Sequence, residues 1–122
     1  MILADTSVWI DHFRVGDKQL RMCLDRGEIV THPYVIAELA LGSFRERSKI
    51  LELLDQLPQV ATAQKSELRH MIETRRLYAL SIGLIDVHLI ASVFISPATV
   101  LWTRDKPLRK VAEAFGIHAA IS

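Results

Sequence analysis

Along the chain, brief apolar runs alternate with longer stretches in which apolar residues return every three or four positions. The runs predict strands and the stretches predict amphipathic helices. Ile2-Leu3-Ala4 reads as a short buried strand. Asp17 then caps a helix bearing Leu20, Cys23 and Leu24 on one face, and Gly27 stops it. "IVT" at 29–31 is short enough for a strand, and Pro33 suits the first turn of a helix through "YVIAELAL" that weakens at Gly42. Ile50, Leu51, Leu54 and Leu57 mark the next helix, which Pro58 ends. "QVATA" at 59–63 is expected to be a third strand. Leu68, Met71 and Ile72 begin a longer helix ending near Gly83, and residues 86–95 are apolar almost all round, as in a buried helix. Ser96-Pro97 breaks that helix, and "VLWT" at 100–103 is strand-like. Pro107 opens a helix with Leu108, Val111, Ala112 and Phe115 inward, Gly116 closes it, and "IHAAI" is expected to be a last strand.

Strands alternating with helices imply an α/β fold: a small central parallel sheet covered on both faces, hence a three-layer α/β/α sandwich. No repeat, low-complexity tract or linker interrupts the pattern, so residues 1–122 are read as one domain. In such sheets ligands collect beyond the carboxyl ends of the strands, where strand order reverses. Asp5 and Asp105 both stand at such ends.

Composition narrows the picture. Half of the 122 residues are hydrophobic and about a quarter charged, which suits a folded domain and argues against disorder. No apolar run approaches the roughly 18 residues of a membrane span, so no membrane association is expected. The start reaches Asp5 too soon, without a basic segment, to be a signal peptide. Cys23 is the only cysteine, which excludes a disulfide framework and a cysteine zinc site and favours a reducing, cytoplasmic setting. A net charge of +1 does not announce a nucleic-acid binder, so any such affinity has to come from local clusters.

Of the 14 acidic residues, ten lie in mixed, amphipathic stretches and read as solvated faces or caps. Four keep different company. Asp5 interrupts "MILADTSVWI", Glu38 is the only charge in "PYVIAELALGSF", Asp86 is the only acid in "IGLIDVHLIASVFI", and Asp105 ends "ATVLWTRD". Each has an ordinary explanation: Asp5 and Asp86 as helix caps, Glu38 as the partner of an arginine, Asp105 as a turn residue. Together they require four coincidences. Carboxylates gathered in an apolar site raise one another's pKa, and a divalent cation reverses that effect. An oxygen-only set without cysteine or a histidine cluster favours Mg2+ or Mn2+ over zinc.

His12, His32, His70, His88 and His118 show no metal-binding spacing, and His88 is read as packed or partner-facing. There is no phosphate loop, dinucleotide fingerprint or nucleophile elbow. Thr6 and Ser7 have no paired histidine in sequence, so hydrogen bonding to Asp5 or to a metal-bound water is their better use.

These residues carry a resemblance. "ADTSVWIDHFR", "PYVIAELALG", "GLIDVHLIAS" and "LWTRDKPLRKVA", in this order and spacing over essentially the full length, resemble a PIN-domain ribonuclease, specifically the VapC-type toxin of a bacterial or archaeal toxin–antitoxin pair. The family's acidic set maps onto Asp5, Glu38, Asp86 and Asp105, and its supporting hydroxyls onto Thr6, Ser7 and Thr103. Where some relatives have a further acid after the last position, this chain has Lys106 and Pro107. The resemblance implies metal-dependent hydrolysis of RNA phosphodiesters. Asp5 and Asp86 are then direct metal ligands, Asp105 binds directly or through water, and Glu38 is a ligand or orients the attacking water. It also implies a structured RNA target such as a tRNA, inhibition by a cognate VapB-type antitoxin, and a homodimer.

An acidic site repels RNA unless cations flank it. Arg104, Lys106, Arg109 and Lys110 surround Asp105, and Arg14 follows the first motif, so these five are the expected RNA contacts, with a solvated basic face as the competing explanation. Trp9 and Trp102 sit in apolar runs and read as core. A phosphoacceptor domain needs adjacent acids after the first strand and a lone aspartate after the third, and "QVATAQ" has no acid. A dehalogenase-type phosphatase needs an acid where Ser7 stands. An RNA-binding or interaction module that kept the fold and lost the activity is the non-enzymatic alternative; the presence of all four acids speaks against it.

Overall fold

β1 (Ile2–Ala4) owes its central position to three apolar side chains and to partners on both edges. The computed structural model describes residues 1–121. In it β1 pairs in parallel with β2 (Ile29–Val30) on one side and β3 (Val100–Trp102) on the other, giving the order β2-β1-β3. Leu3 stands between Val30 and Leu101 across the sheet. The chain thus leaves β1 to one side and returns to its other side, so the carboxyl end of β1 is the switch point of the sheet.

Helices make up the rest: α1 (Thr6–Val15), α2 (Lys18–Asp25), α3 (Pro33–Ala40), α4 (Arg47–Asp55), α5 (Lys65–Thr74), α6 (Leu84–Ile95) and α7 (Lys106–Ala114). α1 packs on β1 and against α3, which meets α4, while α5 packs on α6 and α6 on β3. The arrangement is the expected three-layer α/β/α sandwich. Its core includes Leu3, Val8, Leu20, Ile29, Val35, Leu89, Ile90 and Leu101, with Trp102 fully buried and Trp9 nearly so. α6 buries six consecutive-face residues, Val87 and Leu89 through Val93, as its all-round apolar pattern predicts.

The local punctuation acts as read. Asp17 Oδ1 accepts from the Leu20 N–H at 2.9 Å to cap α2, Pro33 lies in the first turn of α3, and Gly27 takes a left-handed φ of 68°. No helix among the described residues is long and apolar enough to cross a membrane.

Three expectations are corrected. "QVATA" is not a strand: only Gln59 bridges Thr31, through Thr31 N–H to Pro58 O and Val60 N–H to Thr31 O, because the opposite chain turns into α3 at Pro33, which has no N–H to extend the ladder. "IHAAI" likewise contributes a single bridge, His118 to Leu101. α5 stops at Thr74, well short of Gly83. Arg76 turns to φ 53°, the Leu77 N–H returns to Ile72 O at 3.0 Å, and buried Leu77 anchors the turn, a left-handed C-terminal cap without glycine.

Candidate active site

Asp5 leaves β1 with its backbone N–H bonded to Trp102 O at 2.9 Å and only 5% of its surface exposed. A carboxylate so placed needs donors. Thr103 Oγ1 donates to Asp5 Oδ2 at 2.7 Å and Ser7 Oγ to the same oxygen at 2.8 Å. Each hydroxyl also accepts a backbone N–H: Asp105 N–H reaches Thr103 Oγ1 at 3.1 Å, and Arg104 N–H reaches Ser7 Oγ at 3.0 Å. Two relays therefore tie the turn after β3 to the turn after β1, and both end on Asp5. Asp5 is the residue before α1, yet its side chain makes no capping bond. The cap explanation fails for it.

Glu38 sits half-buried on α3 and accepts from Thr6 Oγ1 at 2.6 Å; among the described residues no arginine pairs with it. Asp86 lies in the first turn of α6 and accepts the Gly83 N–H at 2.9 Å. Asp105 caps α7, accepting the Leu108 N–H at 3.1 Å. For these last two the ordinary roles are real, but each role occupies one oxygen. Asp5, Glu38, Asp86 and Asp105 all have one carboxylate oxygen engaged and the other without a protein partner among the described residues.

The electrostatics place the four together. Asp86 has its pKa raised, first by burial and then by repulsion from Asp5, Asp105 and Glu38; the Gly83 N–H opposes the rise. Acids separated by 19 to 100 positions in sequence thus share one field at the carboxyl edge of the sheet. Among the described residues, no three Asp, Glu, His or Cys side chains form a ready cation-binding group.

Around this centre the five expected cations divide. Arg104 is not turned to the site: its guanidinium donates to Asp11 at 3.0 Å and to Asp17, and lies over the Trp102 ring at 5.2 Å. Burial alone raises the Asp17 pKa, but the Leu20 N–H and Arg104 outweigh it and the net shift is downward. Arg109 pairs with Glu113 one turn along α7 at 3.0 Å. Arg14, Lys106 and Lys110 are exposed and have no carboxylate partner among the described residues. A cavity of about 280 Å³ with Arg14 and Glu38 on its wall opens between α1 and the end of α3, floored by the stacked Phe13 and Phe44 rings. The Arg104 network escaped sequence reasoning, because its partners are 93 and 87 residues away and Asp11 looks like any solvated helix residue.

The PIN domain family model matches residues 2–114, which takes in all four acids and every strand. The chain belongs to the PIN-domain family. Within it, the chain is 41% identical over 120 residues to Ribonuclease VapC32 of Mycobacterium tuberculosis, in each of two strains, covering 98% of this chain and 97% of that protein. This PIN domain is accordingly of the VapC type, and the resemblance drawn from its four motif blocks holds across the whole fold.

Proposed function

We propose that the protein is a divalent-cation-dependent endoribonuclease and serves as the toxin of a toxin–antitoxin pair. The observation that carries this reading is the convergence of Asp5, Glu38, Asp86 and Asp105 on one field at the switch point of the sheet, each with one oxygen uncommitted. The full-length likeness to a ribonuclease supports it.

Asp5 and Asp86 are assigned as direct ligands of Mg2+ or Mn2+, with Asp105 binding directly or through water. The bound cation would lower the pKa of a water and offset charge on the leaving oxygen. The chain's own contribution is positioning. Ser7 and Thr103 fix the Asp5 carboxylate so that its other oxygen faces the site, and Gly83 does the same for Asp86. Glu38, steered by Thr6, orients the attacking water and accepts its proton. Arg14, Lys106 and Lys110 hold backbone phosphates of the RNA, for which a tRNA or another structured RNA is the expected target.

The proposed partner is a cognate VapB-type antitoxin. An apolar groove of about 390 Å³ lined by Trp9, Phe13, Leu24, Ile50, Leu54 and Leu57 offers room for an antitoxin segment beside α1. We also assign a cytoplasmic setting and a homodimer; light scattering should give twice the 13.8 kDa chain mass.

The test is to incubate antitoxin-free protein with total RNA in Mg2+ or Mn2+, in chelator, and beside Asp5→Asn. Cleavage that disappears in both chelator and mutant is the expected result. Cleavage that survives in the mutant refutes the assignment of the site.

A further inference from the structure

Between the first turn of α3 and the body of α6 lies a cavity of about 200 Å³ lined by His32, Pro33, Tyr34, Thr62, Ala63 and His88. It is smaller than the roughly 300–1,000 Å³ of ordinary small-molecule sites, so it admits a planar ring rather than a whole nucleotide. Three aromatic rings frame it. His32 and Tyr34 have centroids 5.2 Å apart, His32 and His88 6.0 Å, and Tyr34 meets His88 edge-on at 4.8 Å. Tyr34 keeps 44% of its surface exposed, whereas His32 keeps 1%.

Hydrogen-bond accounting fixes the tautomers. The Tyr34 backbone N–H donates to His32 Nδ1 at 3.0 Å, so in the neutral ring the proton sits on Nε2. His32 Nε2 is buried without a partner, and so is His88 Nδ1. Burial, and then the neighbouring His88 ring, lower the His32 pKa to about 4, which keeps that ring neutral. With His32 Nε2 the donor, His88 Nδ1 in the ring facing it, 6.0 Å away between centroids, is assigned as the acceptor. His88 then carries its proton on Nε2, an N–H with no protein acceptor among the described residues. No Lys or Arg lines the cavity, so its chemistry suits a neutral ring and not a phosphate.

We propose that this cavity takes one unpaired nucleobase of the substrate RNA, laid on the Tyr34 ring and hydrogen-bonded by His88 Nε2–H. The inference rests on the nuclease reading for its ligand. It adds a base-reading subsite to a site otherwise built from carboxylates and phosphate contacts. Tyr34 precedes Glu38 by four residues on α3, about 6 Å along the helix axis, and His88 follows Asp86 by two on α6. Residues four apart share a helix face, so a strand crossing Glu38 continues past Tyr34. Stacking on an aromatic ring with hydrogen bonds to the base edge is the usual means of reading single-stranded RNA.

The test compares cleavage of a short unstructured RNA with versions carrying an abasic site at each position in turn. Tyr34→Ala should raise KM roughly tenfold with little change in kcat, and Tyr34→Phe should behave as wild type. His88→Asn keeps an acceptor for His32 but removes the outward N–H, so it should raise KM while leaving the unfolding midpoint unchanged. One abasic position should erase both KM effects. A wild-type KM in His88→Asn, or KM effects that add to every abasic site, overturns the subsite while leaving the nuclease reading standing. If wild-type protein cleaves no RNA, the nuclease reading falls and binding decides the subsite. 2-Aminopurine placed at each position should then be quenched at one position in wild type but not in Tyr34→Ala, and uniform signals overturn it.

Discussion

On the proposed function, Asp86 is where activity and stability conflict most directly. Burial and three neighbouring acids raise its pKa, so the folded state favours the protonated form more than the unfolded chain does. Such a group contributes stability that is fully present below its ordinary value of 3.8 and lost as pH rises through its raised value in the fold. Asp86→Asn, whose amide oxygen can still accept the Gly83 N–H, should therefore unfold at a higher temperature than wild type at neutral pH in chelator. The advantage should vanish below pH 3.8. The same variant should lose RNA cleavage. Mg2+ or Mn2+ should raise the wild-type midpoint through linkage and leave that of Asp86→Asn nearly unchanged. Thermal melts across pH, with and without metal, check all three; a variant less stable than wild type at neutral pH contradicts the repulsion argument. Asp17 runs the opposite way. Its lowered pKa gives stability that is present above 3.8 and lost as pH falls through the depressed value.

Among elements, the turns after β1 and β3 do the positioning. Thr103 and Ser7 join them through Asp5, and Arg104 joins β3 to α1 and α2 through Asp11 and Asp17. Removing the guanidinium leaves two partly buried carboxylates without their cation. Arg104→Ala should cost about 2 kcal/mol in chemical denaturation, and Arg104→Lys should recover only part, since an ammonium cannot hold two separate acids with a planar fork. A loss within a few tenths of a kcal/mol would show that the pairing is an ordinary surface contact. Most helices were legible from their apolar spacing and caps, as with Asp17 ahead of α2 and Pro33 opening α3. Residues 59–63 and 117–121 were not, because a strand exists only where a partner supplies a ladder, and these segments find one bridge each. The end of α5 was hidden for a related reason: the helical pattern continues past Thr74, and it is the burial of Leu77 that turns the chain.

At the scale of the whole molecule, the proposed function requires a chain of net charge +1 to bring polyanionic RNA to a cluster of four acids. The exposed cations Arg14, Lys106 and Lys110, without a carboxylate partner among the described residues, lie on α1 and α7, the helices that follow the two aspartate-bearing turns. Lys106→Ala and Lys110→Ala should each weaken binding of single-stranded RNA and flatten the slope of log affinity against log salt by about 0.7. Arg109→Ala, already paired with Glu113, should change the slope less. Anisotropy titrations over a range of salt concentrations measure these slopes, and an unchanged slope removes that residue from the RNA path. The four acids themselves were legible from sequence because charge in an apolar run is anomalous wherever it occurs. The Arg104 network and the His32–His88 pair were not, since neither carries a local anomaly and both depend on what lies opposite.

By itself the sequence determined most of the helices, though not α1, the class of fold, the anomaly of the four carboxylates and the family, because periodicity, caps and a charge among apolar neighbours are all encoded within a few residues. Only the tertiary structure decided that those carboxylates share one field, which oxygens remain uncommitted, and that Arg104 braces the scaffold away from the acids. Those outcomes depend on distances between residues far apart in the chain. Such distances come into being only when β1 is placed between β2 and β3 and the turns at its carboxyl edge are drawn together.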